Sequence, residues 1–185
     1  MLGGFTADVR HCAEKEKAYS GFVRLLANNY GLQALLAYRL GRWLLRAGDA
    51  YYLWPLLPVC WPFYYLLSRY AHLAFDIRLE LSADIGPGLY IGHFGAIRVR
   101  QCRIGANCSI AHMTEISPAA DGSGPIIGDS VWIGAHVQIV GSYRIGCGAT
   151  LAAGAVVRQD VPSAALCLGN PGHVVMRSNA NRSLH

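Results

Sequence analysis

The sequence lacks paired cysteines at the spacing of a metal site or of a disulfide framework. Its six cysteines stand apart from one another and form no CxxC motif. We interpret Cys108 and Cys147 as packing thiols of a protein in a reducing compartment, because both stand where a small residue fits a regular pattern. A zinc site is therefore not expected, and neither is any other metal.

A cleavable export signal is also lacking, since residues 1–24 carry many charges and no apolar core. The chain has 185 residues and a formal net charge of +5, and its length suits one domain with a small appendage. Residues 1–78 hold nine Lys and Arg against five Asp and Glu, so the basic excess lies in this region. We expect a cytoplasmic location, extending to the inner face of the cell membrane, and no nucleic-acid partner.

Charge is absent from one long segment, residues 50–68. The length of this segment would allow a membrane span, but its three prolines disfavour a straight helix. Tyr and Trp residues near both ends, with an Arg beyond each end, resemble an interfacial belt. Three interpretations stay open: a re-entrant or interfacial membrane segment, a buried packing or oligomer contact, and a true span.

Two helices are predicted before this segment. Residues 8–28 are charged and compatible with a helix, which Tyr30-Gly31 is expected to break. Residues 32–47 then carry apolar side chains at the i, i+3, i+4 spacing of an amphipathic helix, with three Arg on the other side. Residues 1–78 are thus predicted to be a helical, partly membrane-leaning appendage.

What the sequence does contain is a six-residue repeat. An aliphatic residue, often followed by Gly, recurs every six residues with two irregularities. Three such hexads can form one coil, and stacked coils bury a continuous apolar ladder; an antiparallel sandwich would instead give hairpins at irregular spacing. The repeat predicts an all-β solenoid over residues 79–176, followed by a C-terminal tail, 177–185. The repeated residues are Ile85, Ile91, Ile97, Ile104, Ile110, Ile116, Ile127, Ile133, Ile139, Ile145, Leu151 and Val157.

The repeat slips twice. One extra residue separates Ile97 from Ile104, so residues 98–103 are predicted to form a distorted hexad. The ten residues 117–126 then interrupt the repeat, and they are polar and rich in turn formers. We predict that they form a loop ejected from the prism, and such loops on rigid scaffolds often carry function.

Histidines occupy one bend of the predicted solenoid. His93 follows Ile91-Gly92, and His112 follows Ile110-Ala111 about one coil later, so the two are expected to stack about 5 Å apart. His136 stands one position further along its own hexad. Two imidazoles at a corner next to the ejected loop suggest a general base, His93, with His112 in support. The alternative is that these histidines are bend residues chosen for polarity and packing.

The reaction that such a base suggests is acyl transfer to a hydroxyl. His93 would deprotonate the hydroxyl, which then attacks a thioester while backbone N–H groups near Ser117 stabilise the oxyanion. The sequence has no nucleophile elbow, which favours direct transfer over an acyl-enzyme. Glu80 or Glu115 could orient the histidine, although a solvated surface carboxylate is an equally good interpretation of either.

Over residues 31–176 the sequence resembles the hexapeptide-repeat acyltransferases, within their serine acetyltransferase branch. The resemblance implies a left-handed parallel β-helix, an exception to the usual crossover handedness, and a homotrimer that binds acetyl-CoA between neighbouring prisms. It also implies that His93 is the catalytic histidine. The segments that carry it are YGLQALLAYRLGRWLLRAG, ADIGPGLYIGH, IGDSVWIGAHVQIVGSYRIGCGATLAAGAVVRQDVP and LGNPGHVV.

Three departures from the family pattern concern the acceptor. Gly92 stands where the serine enzymes carry an Asp, and Ser123-Gly124 stands where they carry Arg-His. The family's Asp partner of the histidine aligns near Arg78, which leaves Glu80 as a substitute. An amino acid needs fixed charges for its ammonium and carboxylate, so we expect instead a sugar hydroxyl, as in the branch members that acetylate exopolysaccharide, capsule or lipid-linked glycans.

The resemblance also implies where acetyl-CoA binds. The small residues Ala135 and Ala153 match positions beside the pantetheine arm, with Ser117 near the thioester. Arg158 is a candidate contact for the nucleotide phosphates, and Arg144 could serve the same role.

Other functions stay open at this point. L-serine O-acetyltransferase of cysteine biosynthesis is the first alternative, and a non-catalytic trimeric scaffold is the second. A carbonic anhydrase with zinc between subunits would need three histidines, but His93, His112 and His136 occupy different hexad positions.

Overall fold

The computed structural model describes residues 2–16, 26, 29–47, 57–92 and 95–176. Three helices precede the strands: α1 (Leu2–Glu16), α2 (Tyr30–Ala47) and α3 (Leu57–Phe75). The expected break between the two helical stretches lies at Asn29, one residue before Tyr30-Gly31, and α2 begins at Tyr30 instead of residue 32. Asn29 caps the helix, since its side-chain oxygen accepts a hydrogen bond from the Leu32 N–H at 2.8 Å. Gly31 is needed in this first turn, because a Cβ there would lie 2.5 Å from the carbonyl oxygen of Ile91.

Part of the charge-free segment forms helix α3, although its prolines were expected to disfavour a straight helix. Residues 57–68 are helical in spite of Pro62, which lies inside α3, whereas residues 50–56 lie outside the described part. Pro58 stands in the first turn, where a missing N–H costs nothing. Within the described residues, no helix combines the length and the apolar character that crossing a membrane requires.

The chain after α3 forms a three-faced prism of parallel strands. Each of the first four coils contributes one strand to each face, and the fifth joins face 2 only through the bridge between Val161 and Ile145. The last strand, β15 (His173–Val175), pairs antiparallel with β14 (Leu166–Leu168) and closes the end. Face 1 holds β1 (Ile77–Leu79), β4 (Ile97–Val99), β7 (Glu115–Ser117), β10 (Gln138–Val140) and β13 (Val156–Val157). Face 2 holds β2 (Asp84–Ile85), β5 (Arg103–Ile104), β8 (Ile126–Ile127) and β11 (Arg144–Ile145). Face 3 holds β3 (Tyr90–Ile91), β6 (Ser109–Ile110), β9 (Trp132–Ile133), β12 (Thr150–Leu151), β14 (Leu166–Leu168) and β15 (His173–Val175).

The predicted ladder forms the core of the prism. Each of the twelve repeated residues is at most 5% exposed, and residues of successive coils pair in register, as Ile110 does with Ile91 and Ile133. Non-glycine residues adopt positive φ at several bends, for example Asn107 and Ser130, both at 55°. The hexapeptide repeat is therefore confirmed as a parallel β-solenoid.

The first slip lies elsewhere than expected. Val99, and not Ile97, is in the ladder, since it pairs with Leu79 and with Ile116. Ile97 is also buried, because it lies on the same side of β4. The extra residues therefore lie between Ile91 and Val99, and residues 98–103 are not where the coil is enlarged.

Candidate active site

Two corners of the prism carry the predicted site residues. We call the bends after β3, β6, β9 and β12 the histidine corner, and the bends after β4, β7, β10 and β13 the loop corner. At the histidine corner the backbone is continuously bonded from coil to coil: Gly92 N–H donates to Ile110, and Ala111 N–H donates to Ile133, each at 2.9 Å. The corner is therefore a rigid edge of the scaffold.

His93 lies outside the described residues. The strand just before it pairs in register with the next coil, Ile91 with Ile110. The stacking of His93 on His112 stays a prediction.

His112 has a described neighbour that the sequence analysis left aside. The rings of His112 and His136 meet edge to face, with centroids 5.9 Å apart, and the His136 N–H donates to the His112 carbonyl at 3.1 Å. His112 is half-buried and His136 exposed. His136 stands at φ 60°, in the left-handed region that disfavours side chains. His136 stands three residues after Ile133, as Met113 stands three residues after Ile110, so both occupy the same position in their hexads. Because Met113 directly follows His112, this spacing could have predicted that His136 lies near His112.

Thr114 holds the bend that carries His112. It is fully buried, and its hydroxyl lies 2.9 Å from the Ala111 carbonyl oxygen and 3.3 Å from that of Gly134. The hydroxyl can donate to either oxygen, so it links two neighbouring coils at the corner. The hexad pattern alone does not single out this residue.

Below the histidines the corner is lined by small residues. Ala135 and Ala153 occupy the equivalent position on the next two coils, and the Gly154 N–H donates to the Ala135 carbonyl at 2.8 Å. A Cβ on Gly134 would lie 2.8 Å from the backbone nitrogen of Ala153. The corner is thus a shallow, smooth edge, which is compatible with an extended chain such as pantetheine lying along it.

An aromatic cluster from the helices adjoins the histidine corner. Tyr30 stacks on Phe75 with centroids 4.2 Å apart, and Tyr70 meets Phe75 edge to face at 5.4 Å. The Phe75 carbonyl accepts a hydrogen bond from Gly95, two residues after His93. Sequence analysis missed these residues, because only tertiary packing brings α2 and α3 to this bend.

The ejected loop lies at the loop corner, not beside the histidines. It runs over residues 118–125 between β7 and β8, and one strand, about 10 Å long, separates it from His112. Its Pro125 carbonyl accepts a hydrogen bond from Arg103, and Ser123 hydrogen bonds lower the pKa of Asp121. Ser117 is buried at the same end of β7 and bonds Glu115 at 3.3 Å. The prediction that the ejected loop lies next to the histidines is therefore wrong within one chain.

The other predicted site residues also lie toward the loop corner. Glu80 pairs with Arg100 at 3.3 Å, and both are about half exposed. Arg158 follows β13, and Arg144 begins β11 beside a groove of about 550 Å³ on face 2. The roles of Glu80, Ser117, Arg144 and Arg158 stay predictions. Among the described residues of one chain, His112, Ala135 and Ala153 lie at the histidine corner, apart from this second group.

The two cysteines that the sequence predicts to be packing thiols differ in their exposure. Cys108 is buried as expected, but Cys147 is exposed and is not a packing thiol. Within the described ranges no group of three or more His, Cys, Asp or Glu could hold a metal ion.

Sequence comparison links the chain to serine acetyltransferases. No family model matches. The chain is 29% identical over 182 residues to the serine acetyltransferase of Synechococcus elongatus, covering 96% of the chain and 70% of that protein. It is 31% identical over 172 residues to serine acetyltransferase 4 of Arabidopsis thaliana, covering 91% of the chain and 45% of that protein. The chain thus spans about half to two thirds of the length of such relatives.

Serine acetyltransferases are also among the solved structures that the chain resembles. The serine acetyltransferase of Brucella abortus superposes with a TM-score of 0.79 at 25% identity, over 95% of the chain and 68% of that protein. The soybean enzyme complexed with serine gives 0.77 at 29%, over 94% and 68%. A serine acetyltransferase in complex with CoA gives 0.75 at 24%, over 94% and 69%, which shows the fold alone. The predicted left-handed parallel β-helix is thereby confirmed, and the chain is similar in sequence and fold to the serine acetyltransferases, a likeness that indicates an O-acetyltransferase enzyme.

Proposed function

We propose that the chain transfers the acetyl group of acetyl-CoA to the hydroxyl of a small acceptor, and that this acceptor is L-serine. The observation that carries the proposal is the likeness to serine acetyltransferases over 96% of the chain. It replaces the sugar hydroxyl expected from the sequence as the first choice, because none of the relatives named above is a sugar acetyltransferase. The CoA and serine complexes of two relatives support the same pair of substrates.

In the proposed mechanism His93 acts as general base. Its imidazole takes the acceptor's hydroxyl proton, the oxygen forms a bond to the thioester carbonyl carbon, and the carbon–sulfur bond breaks. The proton then passes to the departing CoA sulfur, so the chain itself is unchanged. Ala135 and Ala153 leave room for the donor along the corner, and Arg144 or Arg158 would pair with its phosphates.

We also propose that the active form is a homotrimer. Five large apolar side chains of the described prism are 44–51% exposed in a single chain: Met113, Ile126, Trp132, Val140 and Val175. A trimer could bring the histidine corner of one prism against the loop corner of another, which would unite the separated site residues. Light scattering should give three times the 20.0 kDa chain mass or a multiple of it.

A glycan hydroxyl is the second candidate acceptor. Gly92 is buried, and a Cβ there would come within 3.0 Å of the Tyr90 ring, so this bend offers little room for an acidic side chain. Ser123 and Gly124 likewise provide no fixed charge. An acceptor without charges would fit these residues better than an amino acid does.

The test is thiol release from acetyl-CoA with L-serine, with neutral sugars and without acceptor. We expect serine to stimulate release, and His93→Ala to lower the rate by about 10²–10⁴. His173→Ala is the matched control, since His173 is exposed on the terminal strand β15 and its loss should change nothing. Stimulation by sugars alone would select the glycan acceptor, whereas no release with any acceptor would favour the scaffold alternative.

A further inference from the structure

Helix α3 exposes an apolar face that the proposed function does not use. Residues 62, 66, 69 and 73 share one side of the helix at i, i+4, i+7, i+11 spacing. We call this side, with the aromatic residues at its edges, the α3 outer face. Its exposed fractions, in chain order, are Trp61 39%, Phe63 60%, Tyr65 65%, Leu66 69%, Tyr70 50% and Leu73 72%.

The opposite side of α3 is held by the rest of the chain. Ala71 is buried, and Tyr64 packs so closely on α2 that a Cβ on Gly41 would lie 2.6 Å from its ring. Because this side is fixed by packing, the outer face cannot turn inward. An exposed apolar surface of this kind marks an interaction site.

Charge on the outer face selects between two kinds of partner. Helix α3 contains no Asp or Glu, and its one Arg, Arg69, is exposed on the face and also borders the groove toward Glu80 and Arg78. Two copies meeting through this face about a two-fold axis would bring Arg69 close to its own copy in an apolar contact without a carboxylate from the helix. Such an arrangement is costly, since like charges in a desolvated contact repel.

An anionic lipid surface suits the same residues. Phosphate headgroups can pair with the Arg69 guanidinium, while Trp and Tyr rings favour the boundary between headgroups and acyl chains. Since exposed apolar residues run along one side of α3 while its other side packs on the chain, α3 would lie parallel to the surface. We propose that the α3 outer face binds the surface of an anionic phospholipid membrane.

This arrangement would place the histidine corner near the membrane. Tyr70 belongs both to the outer face and to the aromatic cluster with Tyr30 and Phe75, next to Gly95. A membrane-bound chain would therefore hold its acceptor site close to the lipid headgroups, whichever hydroxyl it acetylates.

The test is co-sedimentation with vesicles of phosphatidylcholine alone or mixed with equal phosphatidylglycerol. We expect binding to the mixed vesicles, weakened by high salt, and a loss of at least tenfold in Leu66→Ser/Leu73→Ser. Arg69→Gln should lower the affinity for mixed vesicles about fivefold and leave the weak binding to phosphatidylcholine unchanged. Leu168→Ser is the matched control, since Leu168 is 39% exposed on β14 at the far end of the prism.

Three results would overturn the proposal. The first is that the wild-type chain stays in the supernatant with both kinds of vesicle. In the second, the double variant binds as well as the Leu168→Ser control. In the third, light scattering without lipid shows that the double substitution halves the mass of the assembly, which would mean that a second copy covers the face. None of these readouts depends on acetyl transfer, so the proposal can fail while the proposed function stands.

Discussion

The prism and its contact with the helical cap, α1 to α3, differ in their interactions: both contain buried apolar packing, and the contact with the cap adds buried charges. The prism is stabilised by an apolar ladder of Ile, Leu and Val that is almost fully buried. The cap meets the first coil through a polar seam: the Asp8 carboxylate of α1 is fully buried, pairs with Arg39 of α2 at 2.9 Å, and accepts the N–H groups of Gly88 and Leu89 at 2.7 and 2.9 Å. Arg39 also donates to the Ile85 and Gly86 carbonyls at 2.8 and 2.6 Å.

This difference shows what each region requires. A solenoid coil stabilises its neighbours, but the first coil has none on its outer side. Its free backbone groups near Gly88 need partners, which Asp8 and Arg39 provide. Tyr38 adds to the seam, since its hydroxyl donates to the Ala83 carbonyl at 2.7 Å and accepts from the Ile85 N–H at 3.2 Å. The cap is therefore bound by this polar seam in addition to the apolar packing of Ala34, Leu35 and Ala71, and the prism by repeated burial.

The largest expected effect comes from breaking the seam. Asp8→Ala leaves the Arg39 cation buried without its carboxylate, and removing one partner of such a pair costs about 3–5 kcal/mol. We expect the cap to separate from the prism at lower urea concentration. Three of the four Trp residues, Trp43, Trp54 and Trp61, precede the prism, so Trp fluorescence should shift earlier than the far-UV circular dichroism of the strands.

Ile133→Ala is the matched variant in the prism. It removes part of a fully buried ladder side chain, which costs about 2–5 kcal/mol, and because neighbouring coils depend on each other both probes should shift together. If Asp8→Ala also moved both probes equally, cap and prism would form one cooperative unit and the contrast between them would be lost.

A smaller effect is expected from the hydroxyl that joins two coils at the histidine corner. Thr114→Val keeps the shape but leaves the Ala111 and Gly134 carbonyls without this donor, at a cost of about 1–3 kcal/mol. Since the bend carries His112, kcat should also fall while KM for acetyl-CoA changes little, measured by thiol release. Thr114→Ser retains the hydroxyl and should restore both properties. A loss in Thr114→Ser with none in Thr114→Val would show that the methyl group, not the hydrogen bond, matters.

The prism could be predicted from sequence because its physics is local and repeated. A buried aliphatic residue every six positions marks a strand in each face, and all twelve predicted positions are buried. The first irregularity of the repeat was predicted at the wrong residues, 98–103, because Ile97 and Val99 are both apolar and both face inward. Spacing alone cannot tell which of the two is in the ladder.

The cap and the grouping of site residues could be predicted less well. Tyr30-Gly31 looks like a break in sequence, yet Gly31 is required by the close approach of α2 to Ile91. The Asp8–Arg39 pair joins residues 31 positions apart, and no periodic pattern in the sequence predicts this ion pair. The loop at residues 118–125 was expected beside the histidines because it follows them in sequence, but β7 lies between them.

The smallest expected effect concerns the thiols that line the prism. Burial, with the charges of Asp84 and Glu80, raises the pKa of Cys102 from 9.0 to about 12. The folded chain therefore keeps this proton while the unfolded chain releases it, so the contribution to stability is complete below pH 9 and is lost as pH rises toward 12. Between pH 9 and 10.5 the free energy of unfolding should fall by up to about 1.4 kcal/mol per pH unit for this group. Cys102→Ala should flatten the slope in urea titrations, whereas Cys147→Ala, which removes an exposed thiol, should leave it unchanged; equal slopes in wild type and Cys102→Ala would show that Cys102 does not stay protonated in the folded prism.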